Sequence, residues 1–244
     1  MAQLLPDLAY GPDPRQTLDL FLPERRAPRL FVFIHGGGWR GGSKDQYRAL
    51  GQLLVGFGYA VALPNHRLAP EHPYPAAIED IAAAIACVRR YSDESGIRAD
   101  DIYLGGHSSG AHLAALLATH PRFQPDGAIA GVICISGVYD LSSYAAAGDY
   151  LGPVFGDDPA VWADASPLQH IQPGLPPFFF AHAEYDIPGA DAQAEAMAKG
   201  IEAAGGSAQV VSVPGRDHVT ILTGVQSILD PLAIGLAMFL RASR

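Results

Sequence analysis

Leu104-Gly105-Gly106-His107-Ser108-Ser109-Gly110-Ala111-His112 decides how this chain is read. It contains Gly106-x-Ser108-x-Gly110, a pattern with little meaning alone in a glycine-rich chain. Its flanks give it meaning. Ile102-Tyr103-Leu104 upstream is apolar and reads as a short buried strand, while Ala111 to Ala118 downstream is a run of good helix formers. A strand, a tight turn centred on serine, and a helix make a nucleophile elbow. The two glycines are expected where strand and helix backbones approach too closely for a Cβ. Such a turn lifts the Ser108 hydroxyl into the open. It also aims the first helical N–H groups at the place where negative charge develops.

Working outward, the pattern alternates strands and helices. Thr17–Leu22 alternates polar and apolar residues, as a half-buried strand near a sheet edge would; residues 1–16 read as irregular. Leu30–Ile34, Tyr59–Pro64 and Ile129–Ile135 are apolar throughout, as strands covered on both faces are, and Pro177–Ala183 is a further strand. Ala208–Val213 is the last strand. Helices are expected from Lys44 to Val55, Ala76 to Ser95, Ala190 to Ala204, and Val219 to Leu240 with a break at Asp230-Pro231. Residues 137–175 are the least regular part and the candidate for a small lid. The order implies a mainly parallel twisted sheet of about 7–8 strands with helices on both faces, in one domain spanning 1–244. Chemistry then sits at the carboxyl ends of the strands.

Composition narrows the classes. The chain has 244 residues, 49% hydrophobic and 17% charged, which suits a large core and argues against disorder. A formal net charge of −9 with no basic run argues against a nucleic-acid or anionic-membrane partner. Cys87 and Cys134 lie in apolar surroundings and read as buried reduced thiols. No signal peptide and no membrane-spanning stretch is evident, so a soluble cytoplasmic protein is expected.

A serine nucleophile needs a base, and the base needs an orienting group. With an elbow, these follow in the order Ser, acid, His, each after a later strand. His218 fits best as base, because it follows the last strand through Pro214-Gly215-Arg216-Asp217; His112, His120, His170 and His182 are worse placed. Asp186 lies in the loop after the preceding strand, with Glu184 two residues away as competitor. Asp217 is adjacent to His218, and adjacent side chains diverge. His35-Gly36-Gly37-Gly38 leaves a buried strand, and its glycines let backbone N–H groups turn toward an alkoxide. Gly37 and Gly38 are the expected donors, together with the N–H of Ser109. The phosphate-cradling alternative lacks the spacing and the lysine of a P-loop.

Three motifs together, His35-Gly36-Gly37-Gly38-Trp39, Arg67-Leu68-Ala69-Pro70-Glu71-His72-Pro73-Tyr74-Pro75-Ala76-Ala77-Ile78-Glu79-Asp80 and Gly106-His107-Ser108-Ser109-Gly110, resemble the hormone-sensitive-lipase-like carboxylesterases of the α/β-hydrolase fold. The resemblance runs from about residue 17 to the end. It implies a serine esterase with Ser108, Asp186 and His218 as triad and Gly37, Gly38 and Ser109 as oxyanion donors. Three departures stand out: Asn65-His66 where the family has Asp-Tyr, Ala183 where it has Gly, and a start almost at the first strand, which leaves no large cap domain to be expected. The elbow is similar also to that of kynurenine formamidases, which cleave an N-formyl amide by the same chemistry, and to compact feruloyl- or acetyl-esterase-like enzymes. Receptors on this scaffold lack the histidine present here as His218.

The expected activity is hydrolysis of small carboxylic esters with short acyl chains through an acyl-enzyme. An arylformamidase is the alternative, and a silent binding protein on the same scaffold is the reading from another class. No metal or organic cofactor is needed, and a small-molecule ester or formamide is the expected partner. His218 must be neutral to act, so activity should fall as pH drops through about 6–7. Trp39, Tyr139, Tyr185, Ile187 and Val219 flank the motifs and are candidates to line a substrate pocket, although each would serve equally well in ordinary packing.

Overall fold

The computed structural model describes residues 3–24, 28–225, 227 and 229–242. Its strands are β1 (Gln3–Ala9), β2 (Thr17–Leu22), β3 (Arg29–Ile34), β4 (Ala60–Pro64), β5 (Arg98–His107), β6 (Ala128–Ile135), β7 (Phe178–Tyr185) and β8 (Ala208–Asp217). They form one eight-stranded sheet in the order β1-β2-β4-β3-β5-β6-β7-β8. β1 and β2, and β2 and β4, pair antiparallel; the other pairings are parallel. Helices are α1 (Arg48–Gly56), α2 (Ala76–Ser95), α3 (Ser109–Thr119), α4 (Gly148–Phe155), α5 (Pro159–Asp164), α6 (Ala190–Ala203), α7 (Thr220–Thr223) and α8 (Pro231–Ala242). One apolar cluster packs Ile78, Ile81 and Ile85 of α2, Leu113 and Leu117 of α3, and Met197 of α6 on one sheet face. A second packs Leu54 of α1 and Leu232, Leu236 and Phe239 of α8 on the other.

Strand order changes direction between β3 and β5. From β3 the chain crosses to β4 on one side, then returns to place β5 on the other. Loops leaving two such neighbours diverge and open a crevice at the carboxyl ends of the strands. Here Ile34 of β3 pairs with Gly106 of β5, so the glycine run after β3 and the serine turn after β5 leave the sheet side by side.

Two expectations at the sheet edge are corrected. Residues 1–16 are not all irregular, since Gln3–Ala9 forms edge strand β1, with Pro6 where only an edge strand tolerates it. β2 therefore lies inside the sheet, and its interior is buried rather than half-buried. Asp19 gives β2 its polar appearance. It is fully buried and accepts hydrogen bonds from Lys44 Nζ, Arg48 Nε (2.8 Å) and the N–H of Asp7 (3.1 Å). Burial alone would raise its carboxyl; these donors outweigh it and hold the group below the usual carboxylate range.

Elsewhere the differences are local. The helix expected from Lys44 starts as a 3-10 turn, Lys44–Tyr47, with a Ser43/Gln46 capping box. Residues 137–175 hold α4, α5 and two 3-10 turns, Leu141–Ala147 and Pro167–His170. The stretch expected as a helix after Val219 is a single turn, α7, then α8 from Pro231; Gln226 and Ile228 of it lie outside the described residues.

Four histidines near the ends of β3, β4 and β5 are buried: His35, His66, His107 and His112. Burial is the main cause that holds His66, His107 and His112 down to about 4, and it pushes His35 down as well. An unfolded imidazole takes up its proton near pH 6.5. Below that pH the unfolded state binds more protons than the folded one, and stability drops by about 1.4 kcal/mol per pH unit per such histidine. The stability is whole above pH 6.5 and is lost as pH falls toward about 4. Thermal melts should give a flat Tm from pH 8 to 7 and a steep fall between 6 and 4.5, with proton uptake on unfolding; a Tm unchanged down to pH 4.5 contradicts this account. In urea unfolding, Asp19→Ala should lose about 3 kcal/mol, because it takes from the buried Lys44 ammonium its one fully buried carboxylate and leaves it only the exposed Asp7 and Asp45. A loss under about 1 kcal/mol would mean the pair is dispensable.

Candidate active site

Ser108 sits between the end of β5 and the start of α3 with φ 55° and ψ −122°, a conformation rare outside glycine. A Cβ on Gly106 would strike the carbonyl of Gly110, and one on Gly110 would strike the carbonyl of Ile34. The first glycine thus serves the strand–helix approach, as expected, and the second lets α3 abut β3. The Ser108 N–H donates to Ile135 O (2.9 Å), and its carbonyl accepts from His112 N (3.1 Å).

The three residues separated by sequence converge. His218 Nε2 lies 3.0 Å from Ser108 Oγ, and His218 Nδ1 lies 2.6 Å from Asp186 Oδ1. Asp186 also accepts from Ser136 Oγ (2.6 Å) and from the N–H groups of Ala183 (2.9 Å) and Ile187 (2.8 Å). Burial works to raise its carboxyl, but these four donors win and hold it far below the usual range. It therefore remains an anion beside His218. The competitor Glu184 turns away to accept from Gly215 N (2.7 Å), and Asp217 caps Val219 and Thr220. Ser136 was not anticipated; its one local sign is structural, a positive φ of 51° right after β6.

Gly37, Gly38 and Ser109 border the same cleft as Ser108 and His218. Gly37 and Gly38 have φ of 133° and 60°, and a Cβ on Gly37 would strike the carbonyl of Gly41. Among the described residues, the N–H groups of Gly37 and Gly38 find no acceptor within the chain. Ser109 is the first residue of α3, where an N–H has no intrahelical acceptor.

Two histidines of the elbow tie this loop in place. His112 Nε2–H donates to Ala165 O (2.7 Å), and its Nδ1 accepts from Trp39 Nε1–H (3.2 Å). His107 Nε2–H donates to His218 O (2.8 Å), and its Nδ1 accepts from Tyr47 O–H (3.0 Å). The unexpected Asn65-His66 pair belongs to the same bracing. Asn65 Oδ1 accepts from Lys44 N (2.7 Å), and the His66 ring stacks on His35 at 4.4 Å.

The cleft holds about 1100 Å³ and takes a wall from each sheet face. Trp39, Val138, Leu151 and Ile187 come from one, Leu50, Leu222 and Val225 from the other. Of the candidate pocket residues, Trp39, Ile187 and Val219 line it and two do not. Tyr139 is 1% exposed beneath the site, its ring 5.2 Å from that of Phe180. Tyr185, the last residue of β7, is 67% exposed and lies outside the cleft.

His120, Asp164 and His170 gather their ligand atoms within 4.8 Å of one another, away from the cleft. His120 Nδ1 accepts from Arg122 N (3.1 Å), which leaves the ring proton on Nε2, donated to Asp164 Oδ1 (3.0 Å). That nitrogen offers no lone pair to a cation, so the group is a hydrogen-bonded brace for α5.

No helix of the described residues is long and apolar enough to cross a membrane. The chain is 32% identical to esterase LipQ of Mycobacterium tuberculosis over 87% of its own length and 56% of that protein's. It is 34% identical to the kynurenine formamidase of Danio rerio over 58% of its length and 48% of that protein's. It thus spans about half the length of these curated relatives. Among solved structures, esterase B of Lactobacillus rhamnosis superposes with a TM-score of 0.84 and 26% identity, over 99% of this chain and 86% of that one. Residues 18–200, which include Ser108 and Asp186 but end before His218, match the BD-FAE family. The chain therefore belongs to the BD-FAE family, within the hormone-sensitive-lipase-like group of the α/β-hydrolase fold.

Proposed function

We propose that this protein is a serine esterase acting on small carboxylic esters. The observation that carries this reading is the unbroken line Asp186–His218–Ser108, at 2.6 and 3.0 Å, opening into an apolar cleft. Ser108 Oγ attacks the acyl carbonyl while His218 Nε2 takes its proton. Asp186 holds the imidazole and stabilises its cation. The N–H groups of Gly37, Gly38 and Ser109 receive the oxyanion, where one such donor contributes about 2.7–4 kcal/mol. His218 then protonates the leaving oxygen, and water releases the acyl group by the reverse steps.

The leaving oxygen must reach His218 Nε2. The leaving group therefore lies against the chain that follows His218, on the side of Leu222, Val225 and Leu50. The acyl group takes the opposite side, toward Trp39, Val138, Leu151 and Ile187. Residues 137–175 act there as a small lid, with Tyr150 over the oxyanion loop, since a Cβ on Gly38 would strike its hydroxyl. That side suits a short acyl chain. The similarity to kynurenine formamidases favours a second reading, cleavage of an aryl formamide with formyl as the smallest acyl group.

Ser108→Ala should lower kcat by at least about 10⁴-fold with an unchanged Tm, and should abolish labelling by a fluorophosphonate. An active Ser108→Ala protein overturns the nucleophile, and a wild type that resists the probe returns the silent binding scaffold. Turnover of p-nitrophenyl acetate to butyrate should exceed that of esters beyond about ten acyl carbons by tenfold or more. The reverse order overturns the short acyl side, and faster turnover of N-formylkynurenine than of every ester makes the formamidase reading the correct one.

A further inference from the structure

His107 stands where the elbow pattern asks for no particular residue, yet it is buried and both of its nitrogens are engaged. The directions of those bonds are determined. His218 O can only accept, so His107 Nε2 carries the proton. His107 Nδ1 is then a lone pair, so the Tyr47 hydroxyl donates to it. That leaves the Tyr47 oxygen to accept from the N–H of Gly36 at 3.0 Å. The path runs from the N–H of Gly36 through the Tyr47 hydroxyl and the His107 ring to His218 O. It joins the glycine loop after β3, the elbow after β5 and the loop after β8, which share no sequence neighbourhood.

We propose that Tyr47 and His107 are positioning residues for the reaction, coupling the oxyanion loop to the loop of the base His218. The inference rests on the esterase reading. Both border the cleft, but neither side chain hydrogen-bonds to Ser108, and neither is needed to move a proton. Their effect is on geometry. The base and the oxyanion donors must converge on one tetrahedral carbon, and displacement of either by about 1 Å costs up to about a hundredfold in rate. Gly36 fits this role, since a Cβ there would crowd the His107 carbonyl and ring and the Tyr47 hydroxyl.

Three single variants separate its links. Tyr47→Phe removes the hydroxyl alone. His107→Asn keeps an acceptor for Tyr47 but loses the donor to His218 O. His107→Gln keeps that donor and loses the acceptor. With p-nitrophenyl acetate, Tyr47→Phe and His107→Asn should each lower kcat about 10- to 100-fold and leave KM within about threefold. His107→Gln should retain more activity than His107→Asn. The double variant Tyr47→Phe/His107→Asn should be no slower than the slower single by more than about twofold, because links in series are lost once. Fluorophosphonate labelling of wild-type Ser108 reports the esterase reading separately; if wild type is unreactive, that reading falls and the catalytic relay with it. If wild type reacts and a folded His107→Asn protein turns over within twofold of it, the relay is overturned while the esterase stands. Effects that simply multiply in the double variant also overturn it. Should His107→Asn fail to fold, Tyr47→Phe decides by the same twofold criterion.

Discussion

The start of α3 is wedged against the ends of two strands, and the site depends on how tightly it fits. Gly106 faces the carbonyl of Gly110, and Gly110 faces the carbonyl of Ile34, with no room for a Cβ at either place. A chain that reverses in so little space must pass through an unusual conformation, and Ser108 adopts it. Holding a non-glycine residue there costs about 1–3 kcal/mol. Hydrogen bonds from Ser108 N to β6 and from His112 N to Ser108 O hold the turn. The pairing of Ile34 with Gly106 then places the glycine loop beside the serine without any further device.

What could be read from the chain follows from how local the determining physics is. Parallel strands buried on both faces are apolar at every position, so β3, β4, β6 and β7 stand out. The elbow is legible because its glycines, its strand and its helix are contiguous. β2 lies near the edge as expected, but it reads as half-buried for a non-local reason: Asp19 looks like a solvent-facing residue until Lys44 and Arg48 arrive from another segment to pair with it. β1 has no apolar alternation to show, since it lies exposed at the edge with its Leu5 and Leu8 only partly covered. Residues 137–175 stand out as a candidate lid, but which of their side chains wall the cleft is not legible. Tyr150 and Leu151 reach the site through the folding of short turns whose sequence carries no period.

The long motif from Arg67 to Asp80 has an equally physical explanation. Asp80, buried at the first turns of α2, accepts from the Arg67 guanidinium, the Arg67 N–H and Gln16 Nε2. These bonds fold the proline-rich loop after β4 back onto α2. Ala69 N in turn donates to Trp39 O (2.9 Å), so the folded loop supports the glycine run from behind. A specific sequence far from Ser108 is thus spent on holding the glycine loop that we propose binds the oxyanion.

Electrostatics explains why the bracing uses neutral imidazoles. In the proposed mechanism His218 becomes a cation during attack, stabilised by the single carboxylate of Asp186. The His107 ring centre lies 4.9 Å from that of His218. A second positive charge at that distance would oppose the first by roughly 3 kcal/mol at an effective dielectric of about 20, a factor near a hundred in rate. An arginine or lysine could donate to His218 O equally well, but it would carry that charge permanently. A neutral ring supplies a donor at one nitrogen and an acceptor at the other, and burial keeps it uncharged down to about pH 4. The same desolvation that lowers the stability of the fold in acid therefore keeps the neighbourhood of the base free of a competing cation.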